Sequence, residues 1–271
     1  MQIHLRFLLY ICIRRRGELA VKLSEWIKSF WYYVTVPFCV HCKRKLSKNF
    51  SVFCPLCLSR YKNAKLRNCS RCCEILSRCT CTSDYLDTHL VHRLVKVIRY
   101  VPSIEDMPQN RLIFSLKREN RADVAQFCAA ELADAVRHGV ENYKDFILTY
   151  VPRRNKAKRK YGVDQAQVLA ENLSALLQIP MIPTLRSLAK TPQKKLSAAA
   201  RRKNAAFAPR LGVNLSGKRI LLVDDIVTTG ASMGGAAVHL RGLGAKEIVG
   251  VCFAIAYRDP YVPFEKPAYR S

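Results

Sequence analysis

The sequence predicts an α/β domain on a mostly parallel sheet, preceded by a small cysteine-rich module. Three observations carry the prediction. From residue 89 onward, short apolar runs alternate with stretches of helical periodicity, the pattern that strand–helix–strand crossovers produce. One apolar run, 219–223, leads directly into Asp224-Asp225 and a hydroxyl-rich turn. Nine of the 12 cysteines lie between Cys39 and Cys81, mostly as close pairs.

In chain order, residues 1–36 read as a basic amphipathic helix, with Leu19, Leu23, Trp26, Ile27, Phe30, Trp31 and Val34 on one face. That face suits packing on the protein itself, on a partner or on a membrane surface. The apolar run 5–13 is too short to span a bilayer and has no small-residue cleavage site after it, so neither a transmembrane segment nor a signal peptide is expected. Residues 37–83 hold the cysteine pairs, 84–257 the α/β domain, and 258–271 an irregular, proline-bearing tail. No internal repeat is legible.

Within the α/β domain, 90–100 reads as a strand and 122–138 as a helix with Val124, Phe127, Cys128, Leu132 and Val136 inward. The run 146–151 ends at Pro152. Residues 164–178 form a helix capped by Asp164, with Val168, Leu169, Leu173, Leu176 and Leu177 facing in. The strand 219–223, a helix over 231–243 stopped by Gly244, and a strand over 247–256 complete the pattern. Sheets of this kind bind ligands at the carboxyl ends of their strands.

Charge narrows the partners. The chain carries 46 Lys and Arg against 20 Asp and Glu, a net +26. Its 49% hydrophobic content excludes a disordered polyelectrolyte. The excess favours polyanions: nucleic acid, phosphorylated metabolites or an anionic membrane face. About half of it sits in the first 82 residues, which hold 16 basic and 3 acidic side chains.

The stretch 220–232, ILLVDDIVTTGAS, is the most specific motif. Hydroxyls, free backbone N–H groups and a helix N-terminus make an anion site, and Gly230 lets the backbone approach a phosphate closely. Two carboxylates would repel phosphate in the same cradle. Asp224 and Asp225 are better used on ribose hydroxyls, or on a divalent cation those hydroxyls share. Thr228, Thr229, Gly230, Ala231 and Ser232 then take the phosphate.

Upstream, six of the eight residues 153–160 are basic, including Arg153, Arg154, Arg159 and Lys160, just after a strand end. Such a loop can neutralise pyrophosphate, close as a lid, or grip a nucleic-acid backbone. A second basic stretch, 186–203, contains no acidic residue.

Cys39-x-x-Cys42 and Cys54-x-x-Cys57 each present two thiolates to one point, and together suit a tetrahedral structural zinc. Cys69, Cys72, Cys79 and Cys81 suit a second, with Cys73 as competitor and a tight Cys79-Thr80-Cys81 pair. An iron–sulfur cluster is the lesser alternative. A disulfide scaffold fits a short secreted chain better than this one. Cys12, Cys128 and Cys252 sit in apolar runs and read as core.

The order of parts resembles the ComF family of competence-associated proteins, which join a double zinc ribbon to a type I phosphoribosyltransferase domain. The resemblance spans about 36–256 and rests on Pro37-Phe38-Cys39, Leu116-Lys117, Pro152 with its basic loop, Gly162 with Gln165-Ala166, Thr191-x-Gln193-x-x-Leu196, Arg201-x-x-Asn204, Phe207 and 224–232. Tyr161 stands where the family usually has Arg. The resemblance implies that Asp224 and Asp225 contact the ribose hydroxyls of phosphoribosyl pyrophosphate or a nucleotide, with Mg²⁺ accompanying the pyrophosphate. It further implies a cytoplasmic protein that assists uptake of transforming single-stranded DNA beside a DNA helicase partner. The alternative is an active phosphoribosyltransferase of the amidophosphoribosyltransferase kind, whose acceptor the sequence does not name.

Overall fold

The structure is a computed structural model that describes residues 37–46, 52–101, 106–153, 163–188 and 207–256. The expected helix over 1–36, Arg154, Arg159, Lys160, most of the basic stretch 186–203 and the tail 258–271 lie outside the described residues.

The described elements are α1 (Pro55–Lys65), α2 (Asp84–Thr88), β1 (Arg93–Arg99), α3 (Pro108–Arg118), α4 (Ala122–Gly139), β2 (Phe146–Tyr150), α5 (Gln165–Leu177), β3 (Leu185–Ser187), β4 (Phe207–Pro209), β5 (Arg219–Val227), α6 (Ala231–Gly242) and β6 (Glu247–Ile255). Four strands form one parallel sheet in the order β1-β6-β5-β2. β3 and β4 make a separate antiparallel ribbon.

The sheet is covered on both faces, which is why its strands read as near-continuous apolar runs. On the first face, Val95, Leu148, Leu221, Val223, Val249 and Val251 pack against α3, α4 and α5. On the second, Leu94, Ile220, Leu222, Ile248 and Cys252 pack with Leu86 of α2 and with Met233, Ala236 and Leu240 of α6. Alternating residues of one strand thus serve two cores.

The cysteine module straddles this arrangement. Cys39, Cys54 and Cys57 belong to the core of the first face, whereas Cys69 and Cys79 belong to that of the second. The first half docks through stacked and edge-on rings, with Phe53 and Tyr61 centroids 5.8 and 5.5 Å from Phe127 of α4. Arg121 donates to the Phe38 carbonyl (3.1 Å) and Tyr61 to Glu131 (3.1 Å).

Several expectations need correction. The strand expected over 219–223 runs on to Val227, so the acidic pair lies within β5 and not behind it. Asp164 precedes α5 but makes no side-chain cap; its Oδ2 accepts from the backbone N–H of Arg153 (2.8 Å), a tertiary contact that outcompetes the local one. Leu176 is exposed, because α5 buries only the stripe through Leu169, Leu173 and Leu177. A repeat does exist, in backbone geometry. Cys39 N–H bonds Arg44 and Lys43 N–H bonds Cys39, and 30 residues on Cys69 bonds Glu74 and Cys73 bonds Cys69. Between 37–46 and 67–76 only the paired cysteines and Leu46/Leu76 recur at equivalent positions, so the period is hard to see in the residues.

Candidate functional site

Near the carboxyl end of β5, Asp224 and Asp225 are half-buried, each bracing the next amide: Asp224 Oδ1 accepts from Asp225 N–H (2.8 Å) and Asp225 Oδ1 from Ile226 N–H (2.7 Å). Their surroundings split their acidities. Burial, then the neighbouring Asp225 charge, pushes the Asp224 carboxyl well above the usual carboxylate range. Burial opposes ionisation of Asp225 too, but Lys117 and then Arg153 outweigh it and hold that carboxyl below its usual range. Lys117 Nζ stands 3.4 Å from Asp225 Oδ2. Two adjacent carboxyls of opposed acidity can accept from one hydroxyl and donate to or accept from another, which suits a vicinal diol.

The turn behind them reaches α6 through Thr228 (exposed), Thr229, Gly230 and buried Ala231. Gly230 has φ +77° and ψ −3°, the left-handed region where glycine carries no Cβ penalty. A Cβ there would also lie 2.9 Å from Leu86 Cγ and 3.2 Å from the Tyr85 ring, so α2 presses directly on the turn. Thr229 Oγ1 accepts from Ala231 N–H (3.4 Å), and α6 offers its N-terminal dipole to an anion. Gly230→Ala combines left-handed strain with this clash. We expect a cost of about 2–4 kcal/mol, read as a fall in melting temperature together with loss of sugar-phosphate binding; an unchanged melt would refute the tight packing of α2 on the turn.

A network that sequence reasoning missed frames the pair. Gln165 at the start of α5 donates to the Lys117 carbonyl and to Asn120 Oδ1 (both 3.4 Å). The Arg153 guanidinium donates to Gln165 Oε1. The carboxyl end of β2, the C-terminal end of α3 and the start of α5 are thereby tied around Asp225. Lys117 and Gln165 were visible only as parts of a resemblance, since a lone Lys at a helix end and a Gln before an apolar stripe carry no signal of their own. Arg153 is the one residue of the expected pyrophosphate loop that the described residues include, and it does stand beside the acidic pair.

Both cysteine sets come together. The sulfurs of Cys39, Cys42, Cys54 and Cys57, and separately of Cys69, Cys72, Cys79 and Cys81, lie within 4.8 Å of one another. Each knuckle turns through a left-handed residue, Lys43 (φ +59°) and Cys73 (φ +60°). Cys73 occupies the Lys43 position of the repeat, so its thiol points out of the second cluster and it does not compete. In the tight 79/81 pair, Cys81 N–H donates to Cys79 Sγ (3.3 Å).

The donor chemistry fits a tetrahedral, thiolate-binding divalent metal. Burial opposes ionisation of Cys39, but the backbone N–H groups of Cys42, Cys54 and His41 outweigh it and hold the thiol down at about 7; Cys69 is held at about 7 in the same way, by the amides of Cys72 and Arg71. Burial and the neighbouring thiols push Cys57 up, and burial pushes Cys79 up to about 12 in spite of Lys96. Four clustered thiols cannot all ionise unless a cation gathers them. Around the first set, His41 reaches Cys57 Sγ through Nδ1 (3.2 Å) and Asp106 through Nε2 (3.0 Å), an outer shell of the kind that orients metal ligands.

Among the described residues no helix is long and apolar enough to cross a membrane.

A family model described as the phosphoribosyl transferase domain matches residues 128–271. DNA utilization protein YhgH of Escherichia coli (strain K12) is 31% identical over 166 residues, 59% of this chain and 70% of its own length. Competence protein F of Haemophilus influenzae is 27% identical over 220 residues, 78% of this chain and 93% of its own. Among solved structures, a purine phosphoribosyltransferase from Pyrococcus horikoshii aligns with 52% of this chain and 91% of its own, at 18% identity and a TM-score of 0.32.

Proposed function

The chain belongs to the phosphoribosyl transferase domain family and to the ComF family of competence and DNA-utilization proteins, and from that premise we propose that it binds a ribose 5-phosphate ligand such as phosphoribosyl pyrophosphate and assists the uptake of transforming single-stranded DNA in the cytoplasm. The observation that carries the first half is the acidic pair of opposed acidity at the tip of β5, followed by the glycine turn into α6. Asp224 and Asp225 take the ribose hydroxyls. Thr228, Thr229, Gly230, Ala231 and Ser232 take the phosphate. Arg153, with Arg154, Arg159 and Lys160 of the same loop, faces the pyrophosphate, and Mg²⁺, if bound, would neutralise pyrophosphate charge beside Asp224 and Asp225. Zinc in each cysteine cluster is structural, since four thiolates leave no open position for substrate.

The second half draws on the net charge of +26 and on the relatives' names. The basic stretches 153–160 and 186–203 bind the phosphate backbone, and the zinc module docks a helicase-type partner. Calorimetry with phosphoribosyl pyrophosphate and Mg²⁺ should give micromolar heat, and fluorescence polarisation with labelled single-stranded DNA should give binding that weakens steeply with salt. Failure of the first removes the sugar-phosphate reading; no salt-dependent binding at low ionic strength removes the DNA reading. The alternative of an active transferase is supported by Arg153, just past the carboxyl end of β2, acting on the acidic pair of the neighbouring strand β5. In that reading catalysis is positioning and charge stabilisation at the anomeric carbon. Pyrophosphate release on offering purines, pyrimidines and amines tests it.

A further inference from the structure

Lys96 is unusual for where it stands. It lies mid-way along β1 of the sugar-phosphate sheet and is 1% exposed. A lysine is almost never fully buried unless paired, yet no carboxylate is within salt-bridge reach of it among the described residues. Its Nζ donates instead to the carbonyls of Cys81 (2.7 Å), Cys79 (3.1 Å) and Leu94 (3.1 Å), and it lies 3.3 Å from Cys79 Sγ. Leu94 N–H in turn donates to the Thr80 carbonyl (2.9 Å), so the Cys79-Thr80-Cys81 segment runs along β1 and is stitched to it from both sides.

We infer that Lys96 is a positioning residue for the second cysteine cluster, holding Cys79 and Cys81 in metal-binding geometry, and that metal in that cluster and the sheet carrying the sugar-phosphate site stabilise each other through it. This rests on the reading that the second cluster holds a metal. Three points support it. A divalent metal bound by four thiolates has a net charge of −2, the counter-charge that a buried ammonium needs; without it the ammonium has only carbonyl dipoles for company, an expensive arrangement at this depth. An N–H donated to a metal-bound sulfur and to the carbonyls flanking it fixes the ligand's direction, and such outer partners typically change metal affinity about 10–100-fold. The first cluster has its own outer shell, His41 and Asp106, and among the described residues no lysine donates to its sulfurs; the two clusters should therefore respond separately.

The same lysine lies in the row that reaches the ribose site. Lys96 is in register with Cys252 on β6, and Cys252 with Asp224 on β5. Disturbing the Lys96–Cys79 junction therefore shifts a strand two places from the acidic pair, not a remote ribbon.

The test uses the full chain loaded with zinc. Zinc is counted by atomic emission, its release is followed with a chromogenic chelator, and differential alkylation with mass spectrometry assigns each release phase to its cysteines. The wild-type chain should hold two zinc ions and release them in two phases. In Lys96→Met the phase assigned to Cys69, Cys72, Cys79 and Cys81 should be at least about tenfold faster, while the phase of the other four cysteines stays unchanged. Cobalt loading should show altered thiolate-to-metal charge-transfer absorption for that cluster alone. Equal release rates in the two proteins would overturn the inference. A wild-type stoichiometry below two, with the second cluster empty, would overturn the metal reading beneath it. Should Lys96→Met not fold, the wild-type chain still decides the matter. Stripping only the second cluster should lower the melting of the whole sheet, followed by circular dichroism, and an unchanged melt counts against the coupling.

Discussion

Asp225→Asn is expected to weaken binding of phosphoribosyl pyrophosphate about 10–100-fold, the equivalent of the roughly 1.5–3 kcal/mol that a hydrogen bond to a charged group contributes. The substitution keeps the shape of the side chain and removes its charge, so calorimetry reads the electrostatic part. It also leaves Lys117 facing a neutral amide (its Nζ is 3.4 Å from Asp225 Oδ2 in the parent chain) and removes the carboxylate from a half-buried ion pair. Asp224→Asn should do less in solution without ligand, because burial already favours the neutral form of that carboxyl. The ordering Asp225 above Asp224 is the informative result; equal losses would mean that ligand binding resets both ionisations.

The same pair sets a pH dependence. Asp225 is more acidic in the folded chain than in the unfolded one, so its contribution to stability is present above the ordinary Asp range and is lost as pH falls through the lowered value. Asp224 has the opposite sign: its raised pKa means that ionisation opposes folding, and acidification relieves this. Stability should therefore rise as pH falls through the raised Asp224 value and fall below the ordinary Asp range, where Asp225 takes up its proton, and Lys117→Met should flatten that acid-side fall.

Loss of metal at the first cluster is expected to unfold more than the module that holds it. Cys54→Ser removes one of four ligands, and loss of a structural metal belongs among the changes that exceed about 4 kcal/mol. For a chain of this size that is about 10 °C or more of melting temperature. The effect should spread because Cys39, Cys54 and Cys57 share a continuous core with Phe53, Tyr61 and the α4 residues Val124, Cys128 and Leu132. Zinc content should fall from two to one per chain, and exchange protection should fall along α4. A local loss, with the α4 amides fully protected, would show that the ring contacts alone hold the junction.

What was legible depended on how local the cause is. The parallel sheet could be read because strands buried on both faces must be apolar throughout, and Ile220–Val223 and Ile248–Ala254 are. The glycine turn was legible because a left-handed residue before a helix leaves few options besides Gly230. Both cysteine sets were legible from spacing, as thiolates sharing one metal must lie close. The length of β5 was not: Asp224-Asp225 looks like a strand end by propensity, and only pairing with Cys252 and Ala254 on β6 carries the strand past it. The choice of Cys72 over Cys73 was open for the same reason, since both follow Cys69 closely and only the backbone turn decides which points inward.

Sequence alone determined most of the elements, the glycine turn into α6 and the grouping of the cysteines, because these follow from periodicity, backbone sterics and spacing within a few residues. Tertiary structure alone decided that Lys117 lies against Asp225, that Lys96 is buried under Cys79, and that the two halves of the cysteine module grip opposite faces of one sheet. Those are meetings of charge and surface between segments far apart in the chain, and a single sequence records the groups that meet but not the fold that brings them together.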